Sequence, residues 1–291
     1  MNLILRIKQI ADQHFDAMVA NRRHLHRNPE LSFEEFETTK FIAEKLKETG
    51  YDLQTITETG GYIDILGKNH SSKVIALRGD IDALPILEKN EVEYKSQNEG
   101  KMHACGHDVH TTSLLGAVRI LHELREEFEG TIRCIFQPGE ERLPGGASIM
   151  IKEGVLKNPN VESIIGQHVM PLMDAGKVGF RPGLYMASAD EIYIHVIGKG
   201  GHGAHPHQNI DPVMIAAQII TQLQTIPSRR AKPSIPTVLS IGKVIAEGST
   251  NIIPNEVYME GTFRTYDEEW RAKAHQLIVQ MCNDICKLHG A

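Results

Sequence analysis

Only four cysteines occur in 291 residues (Cys105, Cys134, Cys282, Cys286), too few to staple a chain of this size, so reduced thiols are expected rather than a disulfide framework. No stretch approaches the ~18 consecutive apolar residues that a membrane-spanning helix needs. The opening MNLILRIKQIADQHF is broken by Arg6 and Lys8 and so lacks the apolar core of a secretory signal. Charge of one sign is not in excess either. Against 31 Lys and Arg stand 37 Asp and Glu, a net charge of -6 without long like-charge runs, which gives no pull toward nucleic acid or an anionic membrane. These absences together lead us to expect a soluble, cytoplasmic protein. With 41% apolar residues, the chain can bury the cores of two domains.

Histidine is what the sequence has in quantity, 15 copies, several of them in tight clusters. The densest is MHACGHDVH, residues 102–110, with Cys105, His103, His107 and His110 in nine positions.

The first part of the chain alternates short apolar runs with helical segments. SFEE at 32–35 reads as a capping box, Ser32 as N-cap and Glu35 reaching back, with Gly50 ending the helix. Strands are expected at YIDIL, VIALRGD, TIRCIFQ and SIIG, and an amphipathic helix over 111–128. This alternation predicts an α/β sheet covered on both faces. The pattern is interrupted by Pro and Gly within RPGLYMASAD at 181–190, where we expect a domain boundary, giving domains 1–184 and 185–291. The second reads β-α-β-β-α, a ferredoxin-like unit with its last strand absent.

In an open α/β sheet, ligands bind beyond the carboxyl ends of the strands. The expected strands of the first domain exit into Asp80 and Asp82, into Glu140 and Glu141, and into His168, and the cluster with Cys105 and His107 lies just before a helix. Taken singly, each has an ordinary reading: turn residues, solvated glutamates, a core histidine. Their convergence on one rim argues for a metal site. Mixed thiolate, imidazole and carboxylate donors favour zinc or a neighbouring transition metal over magnesium or calcium. The carboxylates also suit a two-metal centre, with Glu141 binding metal while Glu140 takes a proton from water.

HRNPELSFEE, RGDIDALPI, MHACGHDVHTTSLLGA, FQPGEE, GGASIMIKEGVL, GQHVMP and GKGGHGAHPH together resemble the metal-dependent N-acyl-amino-acid amidohydrolases, the family of hippurate hydrolases, indoleacetyl-amino-acid hydrolases, aminoacylases and related carboxypeptidases. The resemblance implies a catalytic α/β domain with a central mixed sheet, a binuclear centre of divalent transition ions (Zn, or Mn, Co or Ni), and a smaller domain that dimerises and closes over the substrate. It implies Cys105, His107, Glu141 and His168 as metal ligands, Cys105 bridging. Glu140 is then the general base and Asp82 the group that orients a metal ligand. Asp80 stands where many relatives have a ligating histidine. His202 resembles the oxyanion-stabilising histidine that reaches a neighbouring subunit, and Asn251 and Arg264 the residues that grip the substrate and its carboxylate. The expected substrate is a small N-acyl amino acid and the expected partner a second copy of the chain.

Members of this family continue past the point where this sequence stops and supply a further metal-binding histidine, so a C-terminally truncated chain is expected. Four ligands also leave two four-coordinate ions short. Two alternatives therefore stand beside the amidohydrolase: a non-catalytic form that dimerises or binds ligand, and a dipeptidase or diaminopimelate-type deacetylase of the same family.

Overall fold

A computed structural model describes residues 2–70 and 73–291. It divides into two compact units, one up to Ala175 and the other from Gly176. The boundary read from sequence falls nine residues later, at 184/185 against 175/176, in a segment of turns and irregular backbone, and both divisions leave the same elements on each side.

The first unit holds helices α1 (Leu3–Arg27), α2 (Phe36–Lys47), α3 (His107–Glu123) and α4 (Gly146–Lys152) and strands β1 (Gly61–Leu66), β2 (Val74–Asp80), β3 (Thr131–Gln137) and β4 (Ser163–Gly166). The sheet order is β1-β3-β2-β4, with β1 antiparallel to β3 and the other three parallel. It is the mixed sheet expected. β3 is buried along its whole length because it lies between two strands and beneath helices on both faces. Cys134 and Phe136 pack with Ile42, Leu46, Leu114 and Val118 on one face, while Ile135 packs with Met150 and Val155 on the other. Since β2, β3 and β4 run parallel, their carboxyl ends open on one rim.

One local expectation is overturned. The helix after SFEE begins at Phe36 with Glu35, not Ser32, at the N-cap position, and neither side chain makes a capping bond. The orphan N–H groups of Glu37 and Thr38 are instead taken by the Glu30 carboxylate, at 3.2 and 2.8 Å. Ser32 and Glu35 are buried and turned toward the sheet. Burial explains the failure of the motif: a capping box assumes side chains left to satisfy their own helix end, and here distant segments compete for them. Gly50 does lie just past the end of α2, with φ +83°.

The second unit comprises β5 (Asp190–Ile197), β6 (Gly201–His202), α5 (Pro212–Leu223), β7 (Thr237–Ile245), β8 (Ile252–Ile253), β9 (Glu256–Thr265) and α6 (Glu268–His289). β5, β9 and β7 form an antiparallel sheet in that order. Element order and strand order are those of a ferredoxin-like unit carrying three of its strands. α5 and α6 lay Ile215, Ile219, Leu223, Trp270, Ala274 and Ile278 on the sheet residues Val196, Leu239, Met259 and Phe263. β6 and β8 pair in a separate short ribbon that sequence reading did not anticipate, because two residues are too few to show periodicity. Among the described residues, no helix is long and apolar enough to cross a membrane.

Candidate metal centre

At the open rim of the first sheet, Asp80 ends β2, Glu140 and Glu141 follow β3, and His168 follows β4. Cys105 and His107 arrive from the start of α3. The turn into that helix is made by Gly106 at φ +85°, where a Cβ would also collide with the side chain of Val169. Glycine therefore serves twice here, admitting the left-handed turn and letting the strand-exit loop with His168 lie against Cys105. Three sets of potential donors cluster within 4.8 Å: Cys105 with His107 and His168, His107 with Glu140 and Glu141, and Asp80 with His107 and His110.

Hydrogen bonding separates the histidines that can bind a cation from those that cannot. His107 Nδ1 lies 3.1 Å from Asp82 Oδ1, and a carboxylate only accepts, so Nδ1 carries a proton and, in the neutral ring, Nε2 keeps its lone pair. His168 Nδ1 donates to the carbonyl of Val169 at 2.8 Å, leaving Nε2 facing Cys105 Sγ at 3.2 Å. His110 is committed on both sides: Nδ1 donates to Asp80 Oδ1 at 2.6 Å, and Nε2 accepts the N–H of Val169 at 2.9 Å. His110 thus ties the β2 exit to the β4 exit and has no lone pair to give. His103 is fully buried with neither ring nitrogen bonded, and burial holds it neutral, its pKa near 4.

Nε2 of His107 and Oε1 of Glu141 are also buried and make no hydrogen bond, although they face each other at 3.8 Å. Two donors bound to one ion at about 2.0–2.3 Å each stand at such a separation, so the residues fit a cation. The electrostatics agree. Burial, then Glu141, Glu140 and Asp80, push the Cys105 thiol up to about 12, so a thiolate forms here only against a cation that inverts this acidic surrounding. Burial alone would lower His107, but the bond to Asp82 and the charges of Asp80, Asp82 and Glu141 raise it.

Burial also opposes ionisation of Asp82, yet bonds from His107, Ser32 and the Glu141 N–H outweigh it and hold the carboxyl at about 2. Asp80 is lowered as well. Burial works against that shift, and the bond from His110 and the charges of His107 and Arg78 prevail. Its Oδ1 takes the bond from His110, while its buried Oδ2 is ion-paired with Arg78 Nη1 at 2.7 Å, makes no hydrogen bond and lies 3.6 Å from His107 Nε2. Glu140, exposed beside these groups, is raised by burial of its carboxyl and by the charge of Glu141.

In the second unit, His202 lies on β6 opposite Ile252, and the carbonyl of Asn251 accepts the N–H of Gly203 at 2.8 Å, so the ribbon brings these two together. The ribbon springs from the end of the sheet where Ile197 pairs with Glu256. Arg264 lies near the other end of β9, opposite Val238, exposed and without an ion pair among the described residues. Eight residues of strand separate the ends, roughly 26 Å at about 3.3 Å per residue.

Residues 76–287 match the family model described as Peptidase family M20/M25/M40. The chain is 43% identical over 98% of its length to an N-acyl-L-amino acid amidohydrolase of Geobacillus stearothermophilus, spanning 76% of that protein. It is 45% identical to an N-acetyl-L-cysteine deacetylase of Bacillus subtilis, over 89% of this chain and 62% of the relative. Among solved structures, a Bacillus subtilis protein described as a dinuclear metal binding peptidase from the M20 family superposes with a TM-score of 0.77 at 38% identity. That match covers 96% of this chain and 72% of the other. Fold and relatives together define a hydrolase of amide bonds. The chain belongs to peptidase family M20/M25/M40.

Proposed function

We propose that the chain hydrolyses the amide of N-acyl amino acids, with Cys105, His107, Glu141 and His168 holding two divalent transition ions, Zn or Mn, Co or Ni. The observation that carries this is the facing pair of buried, unbonded donors, His107 Nε2 and Glu141 Oε1, with Cys105 Sγ and His168 Nε2 beside them. Bound there, the ions would lower the pKa of water and polarise the scissile carbonyl. Every other task falls to the chain. Asp82 orients His107 by accepting its Nδ1 proton, so that Nε2 points inward. Glu140, its pKa raised toward the working range, accepts the proton of the attacking water and returns it to the leaving amine.

Arg264 offers a planar fork for the free carboxylate of the substrate. His202 stabilises the oxyanion and Asn251 grips the substrate. The opposite placement of Arg264 and the His202–Asn251 pair on the second unit's sheet supports their serving different sites, with His202 and Asn251 reaching the site of a second copy in a homodimer.

Glu140→Gln is expected to keep its metal, read by elemental analysis, and to lose turnover of N-acetyl-methionine or hippurate by about 10²–10⁴-fold. Retained turnover would overturn the role of Glu140. The donor count favours a second reading, in which the 291-residue chain binds ligand and self-associates without turnover. Four side chains would offer fewer donors than two four-coordinate ions take. Full metal occupancy with rapid hydrolysis by this chain removes that reading.

A further inference from the structure

The SFEE turn, displaced from helix capping, reaches the loop after β3 at three points. Ser32 Oγ donates to Asp82 Oδ2 at 2.6 Å, and the same oxygen accepts the N–H of Glu141 at 2.9 Å. Glu35, fully buried, accepts the N–H of Gly139 on Oε1 at 2.7 Å, while its Oε2 takes the hydroxyl of Thr59 at 2.7 Å. Between them the ring of Phe33 occupies the space a Cβ on Gly139 would need.

Two of these residues sit in the left-handed region, Gly139 at φ +54° and Phe33 at φ +68°. For glycine this costs little. For a phenylalanine it is a strained conformation that persists only where surrounding contacts over-determine it. The contacts that do so here run to the loop of Glu140 and Glu141.

Glu140 itself makes no side-chain hydrogen bond among the described residues, and His107 Nε2 lies 3.9 Å from its Oε2. The direction of its carboxylate therefore comes from its backbone. The N–H groups of the residues before and after it are both taken by carboxylates: Gly139 N–H by Glu35 of the SFEE turn, and Glu141 N–H by Asp82 Oδ2, the oxygen to which Ser32 of that turn also donates. We infer that the turn Ser32–Glu35 is the brace that aims Glu140, and that Glu35 is a positioning residue for the proton transfer assigned to Glu140. This rests on the hydrolytic reading above. A reacting group displaced by about 1 Å loses much of its rate, so a brace on both flanking amides acts on turnover rather than on substrate affinity.

The test compares Glu35→Leu, which removes the acceptor, with Glu35→Gln, which presents an oxygen to Gly139 N–H. Amide hydrogen exchange read by NMR is expected to rise about tenfold or more at Gly139 and Glu141 in Glu35→Leu, with residues 131–137 of β3 still protected. Glu35→Gln is expected to restore the protection. In N-acetyl-methionine hydrolysis, Glu35→Leu should lose kcat by about tenfold or more with KM within about twofold and metal content unchanged, and Glu35→Gln should recover most of it. Unchanged exchange at Gly139 in a folded Glu35→Leu, or exchange rising equally along β3, overturns the brace. Absence of turnover in the wild-type chain strikes the hydrolytic reading alone, and the exchange comparison still decides the brace. Should Glu35→Leu fail to fold, Ser32→Ala carries the test: raised exchange at Glu141 supports the brace and unchanged exchange overturns it.

Discussion

Four histidines and a cysteine crowd the rim of the first sheet, and what distinguishes them is the occupancy of single atoms. His107 and His168 each give the Nδ1 proton to an oxygen and turn Nε2 toward the other donors, whereas His110 uses both nitrogens elsewhere. Chain spacing singled out Cys105 and His107 within the cluster, and the structure places both among the candidate donor groups at the rim. It had no means of showing that Val169, next to His168, would occupy His110. Gly106 is the most sensitive single position. Gly106→Ala places a Cβ at a left-handed turn and into Val169, with an expected cost on the order of 1–3 kcal/mol. Denaturant unfolding should show that loss together with weakened zinc binding, because the shift parts His168 from Cys105. Undiminished zinc affinity in a stable variant would show that the turn does not set the spacing.

At the scale of elements, α1 is fastened to the start of α3 by a buried charge network. His26 bonds Asp108 through Nδ1 at 2.7 Å and Glu88 through Nε2 at 3.1 Å, and Arg22 Nε lies 2.9 Å from Asp108. A ring with a carboxylate at each nitrogen is an imidazolium. The bond to Asp108 raises His26 above its ordinary 6.5, with burial and Arg22 opposing and Glu88 adding to the rise. Burial opposes ionisation of Glu88 and Asp108, yet both are lowered from 4.5 and 3.8, chiefly by the bond from Ser96 N–H to Glu88 and that from His26 to Asp108. A raised imidazole stabilises fully below its unfolded pKa and ceases to do so as pH climbs through the folded one. Lowered carboxylates stabilise above their unfolded pKa and stop as pH falls through the folded one. The network is thus at full strength between about 4.5 and about 6.5. Thermal melts from pH 6 to 9 should show stability declining with pH, and His26→Gln should be less stable at pH 6 with a flatter profile. An unchanged slope in that variant would mean that another group titrates.

For the whole molecule, the family assignment rests on near-complete coverage of this chain by its relatives, of which the chain spans 76% in the first case cited. One edge of the first sheet is apolar and open among the described residues: β4 pairs only with β2, and Ile164 and Ile165 are 51% and 59% exposed. An exposed apolar edge strand is a template for association. The 291-residue chain is therefore expected to self-associate with rising concentration in sedimentation, and Ile164→Thr with Ile165→Thr to reduce it. A sample equally monodisperse with and without the substitutions would contradict this.

The sequence by itself determined which residue types gather at the rim. Parallel strands separated by helices must open at one edge, and the acids, thiol and imidazoles stand at the strand exits in chain order. The tertiary structure alone decided which atoms are free to act. The partners that settle His107 and His110 come from positions 25, 30 and 59 residues away. Likewise SFEE reads locally as a cap, and only folding shows Glu35 meeting Gly139 across 104 residues, where burial makes a distant N–H a better partner than its own helix end.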